Sequence, residues 1–207
     1  MIKFLKNIYK FYVKRYKKRF IYSFLVYYLL VILGGISGIF YSVSRENAVQ
    51  TVSSSLNSTL PSLFQAINSG DLISVVLTIF GFNAVLGSFF FITLLNMIGI
   101  GTLIFIYRPF LWGFIYAPVN PQATALLIYV IPTLILEGLA YVMAFAASID
   151  FLQAIIKPSA LGEKKRLRAY KKAWINNLKS YVLILIVLFV AAVVETLTIL
   201  YIIPKMG

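Results

Sequence analysis

The sequence contains no cysteine and no histidine in its 207 residues, and only six of its side chains are acidic. Without cysteine the chain cannot form a disulfide, and without either residue type it lacks the usual ligands of zinc, haem and iron–sulfur sites. The missing imidazole and thiol also remove the nucleophile–base pairs of most covalent hydrolases. We therefore expect a protein that is not an enzyme and that holds no metal and no cofactor.

Charge of either sign is also scarce, since only 12% of the residues are charged while 61% are hydrophobic. Soluble domains are about 25% charged and about 45–50% apolar, so this composition excludes an ordinary soluble protein. The mean hydropathy of +0.91 agrees with this exclusion. The predicted fold class is an all-α, integral membrane helical bundle, forming a single membrane domain over residues 1–207.

Long apolar stretches predict about five transmembrane helices. They lie at 20–43, 72–95, 99–117, 124–148 and 181–203. A helix needs about 20 residues to cross a hydrocarbon core of about 30 Å. The uncharged run from 72 to 107 is too long for one crossing, so we divide it near Asn96–Gly101. Gly34, Gly35 and Gly38 in the first span would permit a close helix contact.

The basic residues form two blocks, which predict the orientation in the membrane. Eight of the 19 lie in the first nineteen positions, and eight more lie between Lys157 and Lys179. Such blocks beside apolar runs are typical of the positive-inside bias, and we expect no nucleic-acid partner. Four intervening spans keep both blocks on one side. The sequence thus predicts a multi-pass protein of the cell membrane, with a cytoplasmic N-terminus and an external C-terminus.

Three segments outside the spans have distinct compositions. Residues 1–19 are predicted to form a basic interfacial helix that leads into the first span. The Ser-rich stretch 44–71 is predicted to be an external loop, which includes a surface helix interrupted at Pro61. Residues 149–180 are predicted to form a cytoplasmic basic segment, where a 3-4-4 spacing indicates an amphipathic helix whose apolar face lies along the inner membrane surface. That face comprises Leu167, Tyr170, Trp174 and Leu178.

Three ionisable residues, Arg108, Glu137 and Glu195, lie inside the predicted spans. Each costs about 2.5–3.5 kcal/mol at the bilayer centre on insertion scales, so such residues usually face the bundle interior and find a partner. At 1.5 Å per residue they lie about 14–21 Å from the inner membrane face, as does Asn83 in the second span. The sequence therefore predicts an intramembrane polar cluster of four side chains from four helices.

Within this cluster, we expect Arg108 to neutralise Glu137 or Glu195 and Asn83 to supply hydrogen bonds. The remaining carboxyl group would be protonated, or would bind a cation or a substrate. Pro132, five residues before Glu137, is predicted to kink the fourth span towards the cluster. The alternative is that the charged groups only lock the helices together.

Several short motifs resemble those of a known family. Pro132–Glu137 (PTLILE) resembles the Pro-His-Gly-Ile-Leu-Glu element of the stage II sporulation protein M family, a group of multi-span membrane proteins. Further similar elements follow the expected order: Phe82-Asn83, Ile98–Leu103 (IGIGTL), Gly113 and Ala191–Thr196 (AAVVET). The family's His-Gly pair is replaced here by Thr133-Leu134, and its Asn-Gly pair by Arg108-Pro109.

The resemblance implies a bundle of about five spans that contains both glutamates. It also implies a scaffold, because the family's namesake recruits partner proteins, including a cell-wall hydrolase, in spore-forming bacteria. Our leading hypothesis is a non-enzymatic scaffold or partner-recruiting subunit of a membrane complex. Its partners would be the lipid bilayer and other membrane proteins, with a homodimer as an open alternative.

The alternative function is a small transporter or channel subunit that uses Glu137 and Glu195 for protons or cations. A transporter needs a water-accessible cavity that reaches the glutamates. A scaffold needs only a dry cluster whose members satisfy one another. The two hypotheses therefore make different demands on the structure.

Overall fold

The computed structural model describes residues 2–202, and these residues are almost entirely helical and include no strand. Seven α-helices occur in this range: α1 (Ile2–Phe40), α2 (Ser42–Thr59), α3 (Pro61–Ser69), α4 (Leu72–Gly81), α5 (Ile100–Ile115), α6 (Pro121–Ile156) and α7 (Arg166–Leu197). A π-helix (Phe82–Leu94) and a 3₁₀ turn (Leu95–Met97) continue α4, a second 3₁₀ turn covers Pro158–Leu161, and a short π-helix (Thr198–Ile202) continues α7. The predicted helical bundle is confirmed.

Four helical stretches are long and apolar enough to cross a membrane. They are Ile2–Phe40, Leu72–Met97, Pro121–Ile156 and Arg166–Ile202. The third predicted span corresponds to α5, which has only 16 residues. At 1.5 Å per residue α5 is about 24 Å long, shorter than the hydrocarbon core of about 30 Å. The protein is therefore a membrane bundle of four full-length spanning helices and one short apolar helix.

Both basic blocks lie at the same end of the bundle. Arg15 and Arg19 near the start of α1 form ion pairs with Asp150 near the end of α6, next to the beginning of α7. We call this the basic end and the opposite end the distal end. The even number of predicted crossings between the two blocks agrees with this arrangement. The C-terminus, whose external position was predicted, lies outside the described residues.

Helices α1 and α5 pack with their backbones in direct contact. A Cβ atom added at Gly34 would overlap the carbonyl oxygen of Phe110, and one added at Gly113 would overlap that of Val31. Gly38 is equally constrained, because its Cβ would lie 2.5 Å from the carbonyl oxygen of Phe114. Small residues permit such approaches inside membranes, where dispersion contacts hold helices together. The first-span glycines therefore hold the short helix α5 in the bundle.

Residues 44–71 form two helices and a short turn where the sequence predicted an external loop. Helix α2 ends at Thr59 and α3 begins at Pro61, so the helix is interrupted at the predicted proline. Proline is favoured at a first helical position because the amide it lacks would have no partner there. Asp71 then caps α4, and hydrogen bonds from the Ser74 hydroxyl and amide hold the pKa of Asp71 below its usual range.

The two basic segments are continuous with the spanning helices. Residues 2–19 form the first half of α1, and their Tyr12 and Tyr16 pack against protein. On α7, Leu167 is 82% exposed and Leu178 is 56% exposed, so the predicted apolar face towards the inner membrane surface stays a prediction. The buried face of α7 at this end comprises Ala169, Ala173, Asn176, Asn177 and Ser180. Small and amide side chains fit here because α6 lies close to α7.

Candidate functional site

The π-helix places one buried row of polar side chains on the second spanning segment. Its wider turn brings residues five apart onto one face, and this row comprises Asn83, Ser88 and Thr93. All three are buried. π-helical turns are rare in proteins, and those that occur are often found at functional sites. An α-helical reading of 72–95 could not predict this row, because a spacing of five does not keep residues on one face of an α-helix.

A chain of hydrogen bonds links Arg108, Tyr141, Asn83 and Glu137 across the bundle. Nη2 of Arg108 donates to the Tyr141 hydroxyl at 2.6 Å, and that hydroxyl donates to Oδ1 of Asn83 at 2.8 Å. Nδ2 of Asn83 in turn donates to Oε1 of Glu137. The Arg108 guanidinium also lies over the Tyr141 ring, 4.0 Å from its centre. Side chains from three helices, α5, α6 and the π-helix, thus meet in one polar network.

The direct ion pair expected for Arg108 is absent: within residues 2–202, neither Glu137 nor Glu195 lies within ion-pair distance of the guanidinium. Tyr141 stands between the charges and satisfies the guanidinium by a hydrogen bond and a cation–π contact. The sequence analysis did not single out Tyr141, although it follows Glu137 by four residues on α6. That spacing places both side chains on one helix face and could have identified it.

Glu195, on α7, supplies a second carboxyl group beside this network. Glu137 from α6 and Glu195 from α7 line one cavity together with Arg108. Two carboxylates beside one buried guanidinium would leave an uncompensated negative charge away from water. One proton on the two carboxyl groups, with Arg108 cationic, would give the cluster no net charge.

These side chains line a cavity of about 280 Å³ towards the distal end. Asn83, Arg108, Thr133, Glu137, Glu195 and Thr198 supply its polar surface. Three of its polar atoms lack a hydrogen-bond partner among the described residues: Nε of Arg108, Oγ1 of Thr133 and Oε2 of Glu195. Thr133 is only 5% exposed. Buried polar groups normally have partners, and three orphans around one cavity indicate room for a polar occupant.

The cavity is apolar at its mouth and polar at its floor. Leu60 and Leu63, at the junction of α2 and α3, border it together with Trp112 and Tyr116 of α5. Towards the basic end the polar groups are paired, since the Tyr181 hydroxyl bonds to Ser88 at 3.0 Å and to Thr93 at 2.8 Å. The unsatisfied atoms that border the cavity lie in the distal half of the bundle, while at the basic end Oδ1 of Asn177 also lacks a partner among the described residues.

Pro132 lies on α6 beside this cavity. The helix continues through it from Pro121 to Ile156. Because proline has no amide hydrogen, the carbonyl of Ile128 loses its helical donor. The predicted kink stays a prediction, while the neighbouring Thr133, which stands where the family motif has histidine, lines the cavity.

A second polar cluster at the basic end was missed by the sequence analysis. The Asp150 side chain is completely buried, and it forms ion pairs with Arg15 and Arg19, each at 2.8 Å. The Tyr16 hydroxyl donates to it at 2.9 Å and Nδ2 of Asn176 at 3.0 Å. Burial, with the charge of Asp150 adding to it, raises the pKa of Tyr16, so this hydroxyl keeps the proton that it donates. The acidic residue just beyond the end of an apolar span was the available signal.

The described residues contain no group of three or more acidic side chains that could hold a metal ion. The two glutamates are a pair only, and a bound metal usually needs more oxygen ligands than they supply.

A family model described as SpoIIM, Stage II sporulation protein M, matches residues 24–198. The matched range contains the cavity cluster and Asp150, and it begins after Arg15 and Arg19. No curated protein and no solved structure matches the chain.

Proposed function

Because this chain belongs to the stage II sporulation protein M family, a family of membrane proteins, we propose that it binds a small polar solute or ion within the membrane. The cavity lined by Asn83, Arg108, Glu137 and Glu195 would be the binding site of a small transporter or channel subunit. No residue in this proposal acts as a catalyst.

The main support for this proposal is the set of buried polar atoms that have no hydrogen-bond partner within residues 2–202. A cluster that only locks helices together gains nothing from unpaired members, because a partly satisfied polar network is worse than an apolar core. Here the guanidinium Nε, the Thr133 hydroxyl and one oxygen of Glu195 all lack partners among the described residues, and all three side chains border one cavity. Such an arrangement favours an occupant over a purely structural lock.

The cavity should be reachable by water from the distal end only. Because the chain contains no cysteine, Thr133→Cys gives a single thiol in the cavity. We expect a membrane-impermeant thiol reagent to modify it at least tenfold faster than Ser88→Cys, the matched control in the fully buried core. Equal, slow labelling of both variants would refute a hydrated cavity.

The same labelling tests the orientation that we propose from the basic blocks. The positive-inside bias favours a cytoplasmic basic end, an external α2–α3 segment and a cytoplasmic N-terminus. Thr133→Cys should therefore react in intact cells and stay unmodified in sealed inverted vesicles. Labelling only in inverted vesicles would reverse the orientation.

A second candidate function is the recruitment of partner proteins, and helix α2 favours it. This helix has 18 residues, with polar side chains predominating, and none of its described side chains is buried. A helix without a packed face is only marginally stable in water. A surface of this kind at the distal end suits a scaffold that holds another protein, or a second copy of this chain, outside the membrane.

Ion flux separates the two functions. We expect proteoliposomes containing the protein to pass protons or monovalent cations down an imposed gradient, and Glu195→Gln to abolish the flux because it removes one member of the carboxyl pair. The matched control is Glu163→Gln, whose Lys172 partner lies 3.5 Å away at the basic end. Equal flux in wild type and Glu195→Gln, or no flux in either, would favour the scaffold.

A further inference from the structure

The charges on the cavity floor leave a place for one positive charge. Arg108 contributes one positive charge, while Glu137 and Glu195 together would contribute two negative charges if both were ionised. Because all three groups line one cavity, one proton on the two carboxyl groups brings the floor to neutrality. A cation that replaced this proton would keep the floor neutral.

An anionic ligand fits the floor poorly. The guanidinium of Arg108 is already engaged, since its Nη2 donates to Tyr141 at 2.6 Å and its face lies over the Tyr141 ring. Its Nε lacks a hydrogen-bond partner among the described residues. An anion at that nitrogen would also lie in a cavity lined by both carboxyl groups. Charge repulsion therefore disfavours a carboxylate or phosphate ligand.

The walls favour an organic cation over a metal ion. Most of the lining towards the mouth is apolar, and Trp112 and Tyr116 place two stacked aromatic rings there, 5.8 Å apart. Aromatic faces attract ammonium groups, whereas a hydrated metal ion needs several oxygen ligands. A cavity of about 280 Å³ accommodates a short apolar chain in addition to a charged head.

We propose that the cavity binds an amphipathic ammonium ion, and that this binding releases the proton shared by Glu137 and Glu195. This inference rests on the proposed function, and it names the ligand class of the same cavity. The ammonium ion enters with its charge and all its hydrogens, both carboxyl groups become carboxylates, and one proton leaves to solvent. The ammonium hydrogens then donate to carboxylate oxygen, including the orphaned Oε2 of Glu195, and to Oγ1 of Thr133.

The surroundings of the carboxyl pair contain one other permanent charge. The titratable groups that act on the pair are Arg108 and Tyr116 from α5, Tyr141 from α6 and Tyr27 from α1. Asn83 from the π-helix donates a hydrogen bond to Glu137. Since the tyrosines stay neutral below about pH 10, the carboxyl pair is the source of the released proton near neutral pH.

The test uses the full-length protein in detergent and three probes of equal length: n-hexylammonium, hexanol and hexanoate. Titration calorimetry in two buffers with different ionisation enthalpies measures affinity and proton release together. We expect hexylammonium to bind at least tenfold more tightly than hexanol, with release of about one proton, and hexanoate not to bind. In Glu195→Gln we expect at least a tenfold loss of affinity and no proton release, while Glu163→Gln behaves as wild type.

Each other outcome has a defined meaning. Binding of hexanol or hexanoate as tightly as hexylammonium overturns the ammonium preference, but it leaves the cavity as a binding site. Hexylammonium binding without proton release overturns the shared proton. If no probe binds although Thr133→Cys is labelled by water-soluble reagents, the ligand class is wrong while the hydrated cavity stands. Unfolding curves of Glu195→Gln identify a variant that fails to fold, and Thr133→Val then provides the second test, with an expected fivefold loss of hexylammonium affinity.

Discussion

Asp150→Asn is expected to lower the free energy of unfolding by about 3 kcal/mol, the largest effect of any single substitution at the basic end. The buried carboxylate of Asp150 receives two guanidinium groups, one phenol and one amide. Removing its charge leaves Arg15 and Arg19 without their anion, in positions from which bulk solvent is largely excluded. Equilibrium unfolding in mixed micelles measures the loss.

Glu163→Gln is the matched control for that experiment. It also removes one carboxylate from an ion pair at the basic end, but the Lys172 side chain is 43% exposed and lies 3.5 Å away. Exposed pairs contribute about 0–1 kcal/mol, so we expect little change. Similar losses in the two variants would show that Asp150 does not fasten α1 to α6 and α7.

Gly113→Ala should destabilise the bundle by about 3 kcal/mol, the upper end of the usual cost of overpacking. A Cβ at this position would overlap the carbonyl oxygen of Val31 and lie 3.0 Å from the amide nitrogen of Gly35. Both obstacles are backbone atoms, which cannot rotate away as a side chain can. The helices α1 and α5 would have to separate, and thermal unfolding in detergent would report the loss.

Gly81→Ala distinguishes crowding from the general effect of replacing glycine in a helix. No atom lies within 4 Å of the Cβ position at Gly81. Glycine costs about 1 kcal/mol relative to alanine in a helix, so this control should be neutral or slightly more stable. If Gly113→Ala behaved in the same way, the close contact between α1 and α5 would be wrong.

The cavity and the clamp at Asp150 divide the bundle into two functional halves. At the basic end every acceptor around Asp150 has a donor, so this half is suited to holding α1 against α6 and α7. In the distal half, polar groups of Arg108, Thr133 and Glu195 lack partners among the described residues. The ion-paired cluster at Asp150 gives the distal half a rigid support, which the proposed binding site would require.

The spanning helices, the two basic blocks and the buried ionisable residues were predictable from the sequence because they depend on composition along the chain. Apolar runs of about 20 residues form membrane helices whichever other helices they pack against. Arg108, Glu137 and Glu195 stood out because charge inside such a run is costly. The short motifs also indicated the family that the match over residues 24–198 establishes.

The tertiary structure alone decided how these groups are paired and which faces are buried. Arg108 donates its hydrogen bond to Tyr141 and not to a carboxylate. Asp150 pairs with two arginines more than 130 residues away along the chain. Leu167 and Leu178 turned outward because α7 uses small and amide side chains against α6. The π-helix, and the cavity beside it, likewise depend on how four helices meet. Periodicity reports the environment of one helix, whereas partners, cavities and close backbone contacts are properties of several helices packed together.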